Sequence, residues 1–284
     1  MMIRTFILIL MVACGLACMA DSVQPQLSHE VTINKDAGRW NFVFVTLKLE
    51  SGEELPCLVD TGSPITVFDK SLESKLGVRL KTGTMTMGST KQQCGVYATP
   101  KLYLGSTLLM TGSNSLTYDL KKAERHTTWA QHHSPYLAIL GMDCMKHYCI
   151  QLDFQAGKVR FLDSDRLTTT NLGNAFPLAF TGGHIYLQHS GLLGGSNTNA
   201  LIDTGWNIDG QIEAGMLKGH DWETVRLPEC VWAGETYTNL NVQIHGHANM
   251  LGLRFLARHL VTFDFPMQTI YLKQTNVGPL PDEK

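Results

Sequence analysis

"ALIDTGWNID" spans Ala200 to Asp209, and "CLVDTGSPIT" spans Cys57 to Thr66. Each stretch brings an aliphatic pair, Leu201-Ile202 or Leu58-Val59, up to an Asp-Thr-Gly. The apolar run predicts a buried β-strand that ends on a carboxylate. A single Asp-Thr-Gly is an ordinary turn, because Asp hydrogen-bonds local backbone and Gly accepts positive φ. Chance supplies the triplet on the order of 0.05 times in a chain of this length. Two copies with the same apolar lead need a further reason.

The surroundings repeat too. "LGMDCMKHYCIQLDFQAGKVRFL" from Leu140 lies over "LGLRFLARHLVTFDFPMQTIYLK" from Leu251 without a gap. Leu140/Leu251, Gly141/Gly252, Asp153/Asp264 and Phe154/Phe265 are identical. Each copy predicts a short helical turn, a strand ending in Asp-Phe, a turn and a second strand. Upstream, "WNFVFVTLKLE" and "HIYLQHS" read as outgoing strands that return into the two triplets. Such a long-period repeat predicts an all-β chain of two similar, β-barrel-like lobes related by a pseudo-twofold axis. The expected organisation is a leader at 1–20, lobes at 21–165 and 176–275, a Thr-rich linker at 166–175 and a polar tail at 276–284.

Composition narrows the function classes. The 284 residues are 44% hydrophobic, enough for one large domain or two small ones. A net charge of −2 gives no electrostatic draw to nucleic acid or anionic membranes. Arg4, the apolar "FILILMVA" and the small residues up to Ala20 predict a secretory signal cleaved after Ala20. A second reading of the leader is lipidation at Cys14, behind "MVA". No later stretch predicts a membrane span, so an exported monomer is expected. Cys57, Cys94, Cys144, Cys149 and Cys230 follow the leader. Cys144 and Cys149 are near enough in sequence to pair, and the alternative is five buried thiols. His132-His133 and His245-Gly246-His247 lack a supporting ligand at metal-site spacing, so neither metal nor cofactor is expected. Trp40, Trp129, Trp222 and Trp232 read as core or cleft wall.

Duplicated lobes that face each other bring Asp60 and Asp203 together. Two touching carboxylates cannot both ionise, so they share a proton. The charged one can take a proton from a trapped water while the other gives one to a carbonyl oxygen. Thr61 and Thr204 are placed to brace the loops, and Gly62 and Gly205 to leave backbone N–H groups near the carboxylates.

From Trp40 to Lys273 the chain resembles the pepsin-like and retropepsin-like aspartic proteases, on "LVDTGS", "LIDTGW", "AILG" and "NMLG" in that order. The resemblance implies a cleft between lobes, a polypeptide substrate and the dyad Asp60/Asp203, whose proton sharing is known for that family. It implies that Ile139-Leu140-Gly141 and Met250-Leu251-Gly252 cross under the active-site loops. It also implies a flap hairpin within "TMTMGSTKQQCGVYATPKLYLGS", where Met87 and Tyr97 are the candidate flap residues. In pepsin-like members a hydroxyl after each triplet donates to the outer carboxylate oxygen. Ser63 fits and Trp206 does not, which predicts a milder working pH. The polar stretch Asp21–Arg39 does not resemble a basic prosegment. The alternative function is a catalytically impaired relative that binds a peptide or protein partner in the cleft, and Trp206 is the residue that favours it.

Overall fold

The computed structural model describes residues 30–87, 90–125, 136–188, 199–213, 223–244 and 249–281. The expected leader with Cys14, both His pairs, Trp129 and Trp222 lie outside them. Among the described residues the chain is mostly strand, and its three α-helices are short. None is long and apolar enough to cross a membrane.

Strand β1 (Glu30–Thr32) is followed by nine strands that form one sheet. They are β2 (Phe44–Leu49), β3 (Glu54–Val59), β4 (Val67–Asp69), β5 (Lys81–Met87), β6 (Thr90–Ala98), β7 (Leu102–Leu104), β8 (Thr107–Leu108), β9 (Asn114–Tyr118) and β10 (Ala138–Leu140). Their order is β5-β6-β9-β4-β10-β3-β2-β7-β8. The remaining strands are β11 (Cys149–Asp153), β12 (Lys158–Leu162), β13 (Asn174–Thr181), β14 (His184–Leu187), β15 (Ala200–Asp203), β16 (Gly210–Ile212), β17 (Thr224–Trp232), β18 (Glu235–Ile244), β19 (Asn249–Gly252), β20 (His259–Asp264) and β21 (Thr269–Gln274). With β1 they make a second sheet, ordered β1-β12-β11-β20-β21-β13-β14-β15-β19-β16-β18-β17.

The chain is all-β, but the barrel-like lobes expected from the sequence are not formed. Both sheets are open, and β1, β11 and β12 from the first half join the sheet built by the second. The physical reason lies in β11. Cys149 to Leu152 are all buried, so both strand edges need partners, and β12 and β20 supply them. At the centre of the β11–β20 pair, Gln151 stands opposite Thr262 and donates to its hydroxyl at 2.9 Å. These two residues, 111 apart, are also counterparts in the sequence repeat.

The strands that carry the two triplets sit in the same local arrangement. β10 runs parallel to β3 and antiparallel to β4, and β4 runs parallel to β9. β19 runs parallel to β15 and antiparallel to β16, and β16 runs parallel to β18. In each case a hydrophobic-Gly strand is inserted between the strand that delivers the Asp and the strand that leaves it. These central strands are covered on both faces, which explains why they read as continuous aliphatic runs. Leu55, Cys57, Val67, Ala138, Ala200 and Ile202 are fully buried.

The Cys144–Cys149 bridge is not present. All five of these cysteines are free thiols, four of them buried. A turn of helix (Met142–Met145) holds Cys144 in the core, while Cys149 enters β11. Burial pushes both thiols up, Cys149 to about 12, away from the reactive thiolate. Of the tryptophans expected in the core or cleft wall, Trp232 is buried and stacks on Phe176 at 4.9 Å. Trp40 is 50% exposed and carries the Arg254 guanidinium 3.6 Å above its ring.

Candidate active site

Asp60 follows β3 and Asp203 ends β15, so each carboxylate stands at the C-terminal end of a buried strand. The Gly62 N–H donates to Asp60 Oδ1 at 2.8 Å, and the Gly205 N–H donates to Asp203 Oδ1 at 2.8 Å. The two buried carboxyl groups are close enough to act on each other's titration. A Cβ on Gly62 would lie 2.5 Å from the Asp203 carboxyl carbon, and one on Gly205 would lie 2.5 Å from Asp60 Oδ1. Only glycine lets the loops come this close.

Four hydrogen bonds lock the loops together. The Thr61 N–H donates to Thr204 Oγ1, and the Thr204 N–H donates to Thr61 Oγ1, both at 3.0 Å. The Thr61 hydroxyl then donates to the Ile202 carbonyl at 2.8 Å, and the Thr204 hydroxyl to the Val59 carbonyl at 2.7 Å. Both threonines are buried, so every bond is made out of water.

The hydrophobic-Gly segments support the loops from below. Ile139 and Leu140 pair with Leu58 and Val59, and the Asp60 N–H donates to the Leu140 carbonyl at 3.1 Å. Met250, Leu251 and Gly252 pair with Leu201, Ile202 and Asp203. The Met142 N–H reaches the Ser63 carbonyl at 2.8 Å, and the Leu253 N–H reaches the Trp206 carbonyl at 2.7 Å. Gly141 and Gly252 have no room for a side chain, because a Cβ would meet Ile65 at 2.5 Å or Ile208 at 2.2 Å.

Ser63 and Trp206 are thus equivalent in backbone role. The Ser63 hydroxyl donates to the Ile65 carbonyl at 2.8 Å, not to the carboxylate. Main-chain groups stabilise ionised Asp60 instead, the Gly62 N–H first and the Ser63 N–H after it. The hydroxyl missing at Trp206 therefore matters less to the carboxylates than the sequence predicts.

Burial raises both carboxyl groups above their ordinary range. Asp203 rises well above it, through burial first and the neighbouring Asp60 charge second. Asp60 rises through burial and is held back by the Gly62 N–H, the Asp203 carboxyl, the Ser63 N–H and His184. One proton on the pair satisfies both groups, with Asp203 the better holder.

A cavity of about 530 Å³ opens on the pair. Leu58, Ile65, Met85, Leu116 and Ile139 make an apolar wall on the Asp60 side, and Trp206 and Met250 flank Asp203. The β5–β6 hairpin covers this space, and Met85, Thr86 and Met87 line it. Its tip, residues 88–89, lies outside the described residues. Tyr97 is placed elsewhere, buried on β6 with its hydroxyl accepting from Arg79 Nε at 3.1 Å.

Among the lining residues that had no role in the sequence reading are Tyr136 and His184. A signal for His184 exists in the repeat. Phe44 pairs with Leu58 and Tyr186 with Leu201, so His184 holds the place that buried Phe42 holds in the first half. A histidine there departs from a core position. Comparison of the chain with protein-family models and with curated proteins finds no match.

Proposed function

We propose that the protein is an exported aspartic endopeptidase, with Asp60 and Asp203 as its catalytic dyad. The observation that carries this is the pair of buried carboxyl groups, raised by burial and brought close by two equivalent, cross-braced loops. The matching strand arrangements around the loops support a duplicated, two-lobed ancestry of the aspartic-protease kind.

In this mechanism a water sits between the carboxyl groups. Ionised Asp60 takes its proton as its oxygen attacks the scissile carbonyl carbon. Asp203 gives its proton to the carbonyl oxygen, leaving a neutral gem-diol. The gem-diol then gives a proton to Asp203, Asp60 gives the proton it took from the water to the amide nitrogen, and the C–N bond breaks to an acid and an amine. No covalent enzyme intermediate forms. The apolar wall on the Asp60 side favours a substrate with a large apolar side chain beside the cleaved bond. Trp206, set against Asp203, favours the second reading, a partner-binding cleft without turnover.

Incubation with a denatured protein mixture between pH 3 and 7, with and without a pepstatin-type inhibitor, separates the two. Inhibitor-sensitive peptides support the endopeptidase. Intact substrate throughout, with a peptide retained by the protein, supports the binder.

A further inference from the structure

The dyad has a third titratable neighbour. His184 opens β14 directly after the turn Gly182-Gly183, both of which have positive φ. That turn is pressed against the first active-site loop, since a Cβ on Gly183 would stand 2.7 Å from the Pro64 Cβ. His184 lines the same cavity as Asp60, Pro64 and Asp203. Its Nδ1 is buried and, among the described residues, has no hydrogen-bond partner. The imidazole is thus not spent on the scaffold, and its charge acts on Asp60 in favour of the ionised carboxylate.

The other groups around it leave that effect unopposed. On β14 the further titratable side chain is Tyr186, and β13 carries no charged residue. β15 contributes Asp203, and the cavity adds Asp60 and Tyr136. No lysine or arginine lines this cavity among the described residues.

We propose that His184 is a positioning residue of the dyad: as imidazolium it fixes Asp60 as the ionised carboxylate and Asp203 as the holder of the shared proton. Its catalytic meaning rests on the endopeptidase reading, but the charge placement can be measured without turnover. The bias belongs to the protonated imidazole alone, because the neutral ring carries no charge. A cation beside a carboxylate favours its ionised form, so removing the cation moves Asp60 upward.

The test is a carboxyl ¹³C NMR titration of the Asp-labelled protein from pH 3 to 8, with signals assigned through Asp60→Asn and Asp203→Asn. Asp60 is expected to change mainly in the first step and Asp203 in the second. His184→Gln is expected to move the first step upward, and His184→Lys to restore it. Equal changes of both carboxyls in each step, or an unmoved first step in His184→Gln, overturns the proposal. So does a folded His184→Lys protein that fails to restore it. If His184→Gln does not fold, the reciprocal titration decides. The His184 imidazole should titrate lower in Asp60→Asn than in the wild type, and no change there overturns the proposal.

Kinetics separate the two levels. In His184→Gln, kcat/KM at the acid end should fall at least about threefold with KM little changed. A wild-type protein that titrates as described but cleaves nothing supports the charge placement and defeats the endopeptidase reading. Cleavage with an unmoved acid limb defeats the inference alone.

Discussion

Thr61 and Thr204 each donate a main-chain N–H to the other's hydroxyl, both at 3.0 Å. The residues are 143 apart in sequence, and their bonds tie two loops that no strand pairing connects. The proposed dyad depends on this brace, because each loop also carries one carboxylate.

Thr204→Val keeps the shape and removes the hydroxyl. The Thr61 N–H loses its acceptor and the Val59 carbonyl loses its donor, both in a buried site. Each unsatisfied group costs about 1–3 kcal/mol, so a loss of roughly 2–6 kcal/mol is expected. Denaturant melts measure it. Thr204→Ser, which retains the hydroxyl, should recover most of the stability.

Gly205→Ala tests the closeness of the pair. The added Cβ would fall 2.5 Å from Asp60 Oδ1, so the loops must part. Overpacking of this kind costs about 1–3 kcal/mol of stability. A displacement of about 1 Å costs on the order of a hundredfold in rate. The variant should therefore fold and be nearly inactive, as read by circular dichroism and peptide cleavage on one preparation.

The raised carboxyls set a pH window. Activity needs one proton on the pair, so it should rise as Asp60 ionises and fall as Asp203 loses its proton. Both groups lie above the ordinary carboxylate value of about 3.9, which moves the window upward. An optimum below about pH 3 would contradict this. The stability effect has a definite sign. Asp203 binds its proton more tightly folded than unfolded, so its contribution is fully present below about pH 3.9 and is lost as pH rises through the raised folded value. Against the wild type, Asp203→Asn should gain relative stability across that rise, as measured by urea midpoints at pH 4 and 7.

Much of this site was legible in the sequence, because its parts are local. Two aliphatics before Asp-Thr-Gly encode a buried strand with a carboxylate at its end. The hydrophobic-Gly runs encode the strands inserted beside them, and Gly62 and Gly205 announce a close approach. What the sequence hid is non-local. Barrel-like lobes were expected because each half was read as closing on itself, whereas β11 satisfies its second edge with β20. The Ser63 hydroxyl was expected on Asp60, but the Ile65 carbonyl two residues on captures it. Arg258 drew no attention, yet it is fully buried and donates to Asp209 Oδ1 at 2.8 Å beneath the second loop. Asp209 in turn accepts from the Asn241 N–H, and its carbonyl accepts from the Gly252 N–H. His184 drew none either, because its match to buried Phe42 shows only once the strand registers align the two halves.

The most direct measurement is kcat/KM of Asp203→Asn beside the wild type, on a quenched peptide with a large apolar residue at the cleavage point, across pH 3 to 7. The dyad predicts inhibitor-sensitive cleavage by the wild type and a loss on the order of a hundred- to ten-thousandfold in the folded variant. Cleavage by Asp203→Asn at the wild-type rate would contradict it.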